Sequence, residues 1–293
     1  MKVATIGFFD GVHKGHQFLI KQVVEEAQRR NASSLVVTFV NHPRMIVSKS
    51  ADCKLLTTSE EKFQLLRQQG IDEVDCTEFT EETSRMSARE FMQTRLKEQL
   101  GIDVLVIGYD HRFGHNREDG FEDYVRYGKE IGIEVIQATA FAEQSVPVSS
   151  SSIRDALNKG DVVEANNLLG YRFFVEGKVV NGHHVGRRIG YPTANIDVSD
   201  TKLLPRNGVY YVEVEVEGQH YPGMLNIGNC PTFGCRNKSV EVNLLDFEGD
   251  LYNKEVTLRF VEHLRDEQKF EDEEMLKRQI AHDESEIRKL IGR

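Results

Sequence analysis

The chain has 293 residues, of which 39% are hydrophobic and 29% charged, and a formal net charge of -10. That length exceeds one ordinary core and suits two domains, and the composition excludes a disordered chain. The acidic balance argues against a nucleic-acid backbone as the main partner. It leaves room for a polyphosphate, which backbone N–H groups and a divalent cation can hold in an acidic protein.

Met1-Lys2 runs directly into Val3-Ala4-Thr5-Ile6, too short for the apolar part of a secretory signal, and no apolar run approaches membrane-spanning length. Cys53, Cys76, Cys230 and Cys235 form no CxxC pair. They read as reduced thiols, with a metal or redox role as the alternative. The expectation is a cytoplasmic protein that meets neither membrane nor nucleic acid.

The first half alternates strands and helices. Residues 3–9 form an apolar run ending at a glycine-bearing turn, after which Leu19, Val23, Val24 and Ala27 recur at helical spacing. Residues 35–40 are a second β-branched run, and residues 104–107 and 135–136 are further strand candidates. Thr58 with Glu61 and Ser87 with Glu90 have the spacing of capping boxes. Near-continuous apolar strands between helices predict an α/β domain with a Rossmann-like parallel sheet covered on both faces. Residues 152–155 and 161–164 begin two helices that close this domain, with the boundary near Gly170.

The segment Gly7-Phe8-Phe9-Asp10-Gly11-Val12-His13-Lys14-Gly15-His16 stands where such a sheet presents strand ends to a ligand. A helix starting there offers unpaired N–H groups and the positive end of its dipole. His13 and His16 can face one ligand, and Gly15 removes a side chain where a phosphate must come close. The pair can donate to a polyphosphate and stabilise charge growing on an α-phosphate during in-line attack. Two turn histidines with a capping role are the alternative.

After about residue 170 the pattern changes. Val212, Val214 and Val216 alternate with Glu213, Glu215 and Glu217, and residues 173–180, 240–247 and 256–260 behave similarly. Strands without intervening helices predict a small antiparallel barrel. In Gly190-Tyr191-Pro192-Thr193-Ala194-Asn195, extended backbone puts Thr193 and Asn195 on one side, where a hydroxyl and an amide oxygen can help hold Mg²⁺ and phosphate; a plain turn is the alternative. The preceding Gly182-His183-His184-Val185-Gly186-Arg187-Arg188 is a basic loop able to fold over phosphates. Its two histidines lack a further ligand at metal spacing. Val240, Val242 and Leu244 share a core face, so Glu241 and Asn243 share the other, where Glu241 is either a general base or a solvent-facing glutamate. Residues 273–290 form a charged helix with Leu276, Ile280, Ile287 and Leu290 as its apolar stripe, read as a solvated helix without chemistry.

GFFDGVHKGH, residues 7–16, resembles the opening of bacterial bifunctional riboflavin kinase/FMN adenylyltransferases, also called FAD synthetases. Thr38-Phe39 with His42-Pro43 resembles that family's TFxxHP segment, and residues 106–110 with Arg112-Phe113-Gly114 its GxDxRFG segment, with His111 where phenylalanine is frequent. Residues 149–154 resemble its SSTxIR motif, with Ser151 in place of threonine, and residues 182–195 its kinase signature. Asn207-Gly208-Val209-Tyr210, Asn226-Ile227-Gly228 with Pro231-Thr232, and Asp246-Phe247 with Leu251-Tyr252 are further matching pieces. The resemblance runs from Gly7 to about Phe270.

It implies two domains, residues 1–170 for FMN adenylylation and residues 171–293 for riboflavin phosphorylation. It implies ATP contacts from Gly7, Phe8, Asp10, Gly11, His13, Gly15, His16, Ser150, Ser151 and Arg154 in the first, and from Thr193 and Asn195, with Mg²⁺, in the second. His13, His16 and Arg154 would act on the reacting phosphates, and Glu241 is the implied general base. Asp110, Asp161 and Arg265 would lie towards the flavin. Asp161 is equally explained as an N-cap ahead of Glu164, and Arg265 by pairing with Asp266 or Glu267. In this family a histidine is common where Asn243 stands. ATP, riboflavin and FMN are the implied small molecules. The rival readings are a nucleotidylyltransferase for another phosphate acceptor with an inactive barrel, and a non-catalytic flavin-binding protein.

Overall fold

The computed structural model describes residues 1–42, 46, 54–109, 111–141, 148–181, 190–229 and 238–292. Asp110, Pro43, Cys53, Cys230, Cys235, Pro231, Thr232 and the basic loop from Gly182 to Arg188 lie outside the described residues. The chain divides into two compact units, Met1–Ser150 and Ser151–Arg293.

In the first unit five strands, β1 (Lys2–Ile6), β2 (Ser33–Phe39), β3 (Glu73–Thr77), β4 (Val104–Ile107) and β5 (Glu134–Gln137), form a sheet in the order β3-β2-β1-β4-β5. Every pairing is parallel. The near-continuous burial of Val3 to Ile6, Leu35 to Phe39 and Val104 to Ile107 follows from cover on both faces. One face carries Ala4, Ile6, Leu35, Val37, Leu105 and Ile107, packed against Phe91, Met92, Leu96 and Tyr124. Helix α1 (Lys14–Arg30) packs on β1 and β2, burying Ile20, Val23 and Ala27, and ends at Asn31 in a left-handed conformation. Helix α2 (Ser59–Arg67) begins with the capping box Thr58/Glu61, and α3 (Ala88–Phe91) with Ser87/Glu90, as their spacing predicts. The strand order reverses at β1, between β2 and β4, so the crevice for a ligand lies beyond the carboxyl end of β1.

Helix α4 (Ser150–Lys159) crosses the division between the units, and α5 (Val162–Leu169) follows it. Six strands, β6 (Phe174–Val180), β7 (Ala194–Val198), β8 (Gly208–Val216), β9 (Gln219–Asn229), β10 (Lys238–Leu244) and β11 (Glu255–Arg265), close an antiparallel barrel in the order β10-β7-β6-β11-β8-β9. Val212, Val214 and Val216 are buried in it, while Glu213 and Glu215 face arginines. Asn166 of α5 bonds the Phe260 carbonyl at 2.9 Å and the Phe173 N–H at 2.6 Å, which seats α5 on the barrel. Outside the barrel, Ile287 of the last helix, α6 (Glu273–Ile291), packs with Val209, Tyr211, Met224 and Leu245.

Candidate active sites

The loop leaving β1 is shaped by buried hydrogen bonds and by strained backbone. Oδ1 of the buried Asp10 accepts the N–H groups of Leu56 and Thr57 at 3.0 and 3.2 Å, and Gly11 N–H donates to Thr57 Oγ1 at 3.2 Å. Gly11 has φ +78°, which glycine adopts freely, but Phe9 at +55° and Val12 at +34° do not have that freedom. Such backbone costs about 1–3 kcal/mol per residue and persists where surrounding contacts impose it. Gly7 donates its N–H to Val37 O at 3.1 Å. Phe8 O accepts from Thr38 Oγ1 at 3.1 Å, and the Phe8 ring meets His42 edge-on.

His13 is the N-cap of α1: its Nδ1 accepts the His16 N–H at 3.4 Å, so the capping role and the motif coincide. One turn on, the His16 ring stacks on His13 with centroids 3.6 Å apart and planes 18° from parallel, and Phe9 closes its edge at 5.1 Å. A Cβ on Gly15 would stand 3.3 Å from the His13 ring, close enough that the ring would have to give by a few tenths of an ångström. Burial pushes the His16 imidazole well below its ordinary 6.5, and His13, His111 and Lys62 push the same way. Among the described residues, the buried His16 Nδ1 has no hydrogen-bond partner. A neutral imidazole keeps one ring N–H, the group that can donate to a phosphate oxygen. Ser150 Oγ donates to Asp10 O at 3.0 Å, bringing the start of α4 to the same loop. Ser151 and Arg154 follow in the first turns of that helix, Ser151 exposed and Arg154 half-buried.

Lys62 is a residue the sequence reading did not single out. It is only 2% exposed, and its ammonium donates to Phe39 O at 2.6 Å and Phe8 O at 3.2 Å while lying 4.0 Å from the Phe8 ring centroid. It thus ties the carboxyl ends of β1 and β2 together beneath the loop. Burial lowers its pKa to about 8. The signal was present: Lys62 precedes Leu65 and Leu66 at the spacing of the buried stripe of α2.

In the second unit Thr193, Asn195 and Glu241 come together on the barrel. Glu241 of β10 pairs in register with Asn195 of β7 on one side and Asn226 of β9 on the other, so the three share a face. Thr193 Oγ1 donates to Glu241 Oε2 at 3.4 Å. Asn243 points to the same face but is buried, and its Nδ2 donates to the Pro192 carbonyl at 2.7 Å. A hydroxyl, an amide and a carboxylate offer hard oxygen ligands, the donor set Mg²⁺ takes.

Two predicted flavin contacts have structural partners. Asp161 is the N-cap of α5, accepting the Glu164 N–H at 2.9 Å. Arg265 grips the buried carboxylate of Asp283, from Nε at 2.9 Å and Nη2 at 2.8 Å, and Nη1 donates to Asp266 O at 3.1 Å. Its acidic partner is therefore Asp283 of α6, eighteen residues on, rather than the side chain of Asp266 or Glu267.

The five-stranded parallel sheet thus carries paired histidines at its switch point, and the closed barrel carries Thr193, Asn195 and Glu241 together. The FAD synthetase family matches residues 1–152 and the Riboflavin kinase family residues 169–291. The bifunctional riboflavin kinase/FMN adenylyltransferase of Escherichia coli strain K12 is 36% identical over 99% of this chain and 93% of its own length. That of Listeria monocytogenes is 35% identical over 100% of this chain and 93% of its own. The chain belongs to the bifunctional riboflavin kinase/FMN adenylyltransferase family. A crystal structure described as a macrolide-efflux protein from Streptococcus pneumoniae superposes with a TM-score of 0.90 at 32% identity, covering 98% of this chain and 94% of that one. Among the described residues of this chain, no helix is long and apolar enough to cross a membrane.

Proposed function

We propose that the two activities of this family are divided between the two constellations, residues 1–170 serving adenylyl transfer and residues 171–293 serving phosphorylation. As a member of the family, the chain phosphorylates riboflavin to FMN with ATP and adenylylates FMN with ATP, giving FAD and pyrophosphate. At the barrel, Glu241 accepts the proton of the ribityl hydroxyl as its oxygen attacks the γ-phosphorus of ATP. Thr193 and Asn195 would hold Mg²⁺, which supplies charge neutralisation on the phosphates. Support for this reading comes from one observation above all: the Thr193 hydroxyl bonds the Glu241 carboxylate while Asn195 stands opposite Glu241 in register.

At the first site the FMN phosphate attacks the α-phosphorus of ATP and pyrophosphate leaves, with no nucleophilic side chain required. His13 and His16 donate to the phosphate oxygens, and the N–H groups near Gly15 and Ser150 meet the polyphosphate; the resemblance assigns Ser151 and Arg154, with its guanidinium fork, to the same reaction. Gly7, Phe8, Asp10 and Gly11 shape the loop that receives ATP; the bonds from Asp10 to Leu56 and Thr57 favour that shaping role. The resemblance assigns flavin contacts to Asp110, Asp161 and Arg265. Both reactions take place in the cytoplasm on small molecules.

Incubating the purified chain with riboflavin, ATP and Mg²⁺ and separating the flavins tests this reading. FMN and then FAD are expected. No FMN from riboflavin would end the kinase assignment, and FMN without FAD would end the adenylylation assignment. Flavin retention without turnover would favour a binding protein.

A further inference from the structure

Asn243 is a buried amide next to the end of β10, and the activity described above leaves it without a task. It lies opposite Met224 of β9, on the face that carries Glu241 two residues earlier. Its Nδ2 donates to Pro192 O at 2.7 Å, and only this amide orientation makes sense, because a carbonyl cannot donate to Oδ1. Proline fixes its own φ, so anchoring the Pro192 carbonyl fixes the remaining freedom of the Pro192–Thr193 peptide plane. No cis peptide bond occurs among the described residues. In a trans peptide the C=O and N–H point in opposite directions, so with its carbonyl drawn towards Asn243 this peptide aims the Thr193 N–H away from β10. One strand therefore holds Thr193 twice: Asn243 orients the peptide before it, and Glu241 accepts from its hydroxyl at 3.4 Å.

We propose that Asn243 is a positioning residue for riboflavin phosphorylation, acting through Pro192 to present Thr193 to the phosphates of ATP. The inference rests on the reading of Thr193 as part of the ATP site. Asn243 touches no reacting atom. Its contribution is preorganisation, which a site built on a strand end loses when one peptide plane can turn.

Asn243→Asp keeps the shape and replaces the donor by an oxygen that repels Pro192 O; Asn243→Leu removes the donor; Asn243→His restores a ring N–H. For each variant, ATP binding is measured by calorimetry with Mg²⁺ and no riboflavin, alongside kcat and KM for riboflavin phosphorylation. Conversion of supplied FMN to FAD reports on the integrity of the chain. The expected result is ATP affinity and kinase kcat each down about tenfold, roughly 1.4 kcal/mol, in the Asp and Leu variants. Unchanged FAD formation and recovery to within a few-fold in the His variant are also expected. Asp and Leu variants that keep both ATP affinity and kcat near wild type, beside an inactive Thr193→Val, would overturn the inference alone. A fully active Thr193→Val would overturn the reading beneath it as well. If the Asp variant unfolds, the comparison of Leu with His decides, and a His variant no better than Leu counts against the donor role.

Discussion

His16 refuses a proton that an ordinary histidine would accept. Burial, His13, His111 and Lys62 together hold its pKa well below 6.5. In the unfolded chain the same ring takes up a proton as the pH falls past about 6.5. The unfolded state then binds more protons than the folded one, so stability is fully present above that pH and declines below it. Thermal unfolding followed from pH 7.5 to pH 5 should therefore show a steeper loss for wild type than for His16→Asn; parallel curves would contradict the burial argument. Lys62 gives a second residue-level prediction. Lys62→Met leaves Phe39 O and Phe8 O without their charged donor and frees the strained loop containing Phe9 and Val12. FAD formation should fall at least tenfold while riboflavin phosphorylation stays within about twofold; equal losses in both assays would mean general unfolding instead. The histidines were legible because they fall in a contiguous motif. For Lys62 the helical spacing signalled burial but not its role, because its partners are carbonyls brought together only by the parallel sheet.

Elements whose signals are local could be read, and elements defined by distant partners could not. The capping boxes of α2 and α3 are four-residue events and stand where their spacing puts them. The alternation of β8 is equally plain. In contrast β3 (Glu73–Thr77) is a polar, half-buried strand, and β9 (Gln219–Asn229) contains Pro222, Gly223 and Gly228, residues that ordinarily punctuate strands. Gly223 is needed there because a Cβ would come within 2.7 Å of Val214 inside the barrel. The last helix is the sharpest contrast. Its apolar stripe was legible, yet Asp283 lies buried between Ile280 and Ile287, where a charged helix read from sequence offers nothing but solvated side chains. Arg265, at the end of β11, completes that ion pair. Removing one partner of a buried pair leaves an uncompensated charge, at about 3–5 kcal/mol. Asp283→Ala should lower the unfolding temperature of the barrel unit, and Asp283→Ala with Arg265→Met should recover part of the loss. A double variant no more stable than the single one would argue against the pair.

At the scale of the whole chain, the expected division near Gly170 and the compact units separating after Ser150 treat residues 151–170 differently. The bonds of Asn166 to Phe173 and Phe260 and of Arg206 to Leu157 explain why these helices group with the barrel. The resemblance of ordered motifs identified the family before any geometry. For three of them the structure adds how they are held: a loop fastened by Asp10, two stacked histidines beside Gly15, and a threonine gripped from β10. Two independent sites on one chain are proposed to carry the successive reactions. The most direct test is a reciprocal assay of His16→Ala and Glu241→Gln, each supplied with ATP and Mg²⁺ and with either riboflavin or FMN. His16→Ala should accumulate FMN and make no FAD. Glu241→Gln should make no FMN from riboflavin yet convert supplied FMN to FAD. Loss of both reactions in either variant, with its unfolding temperature unchanged, would contradict the independence of the two sites.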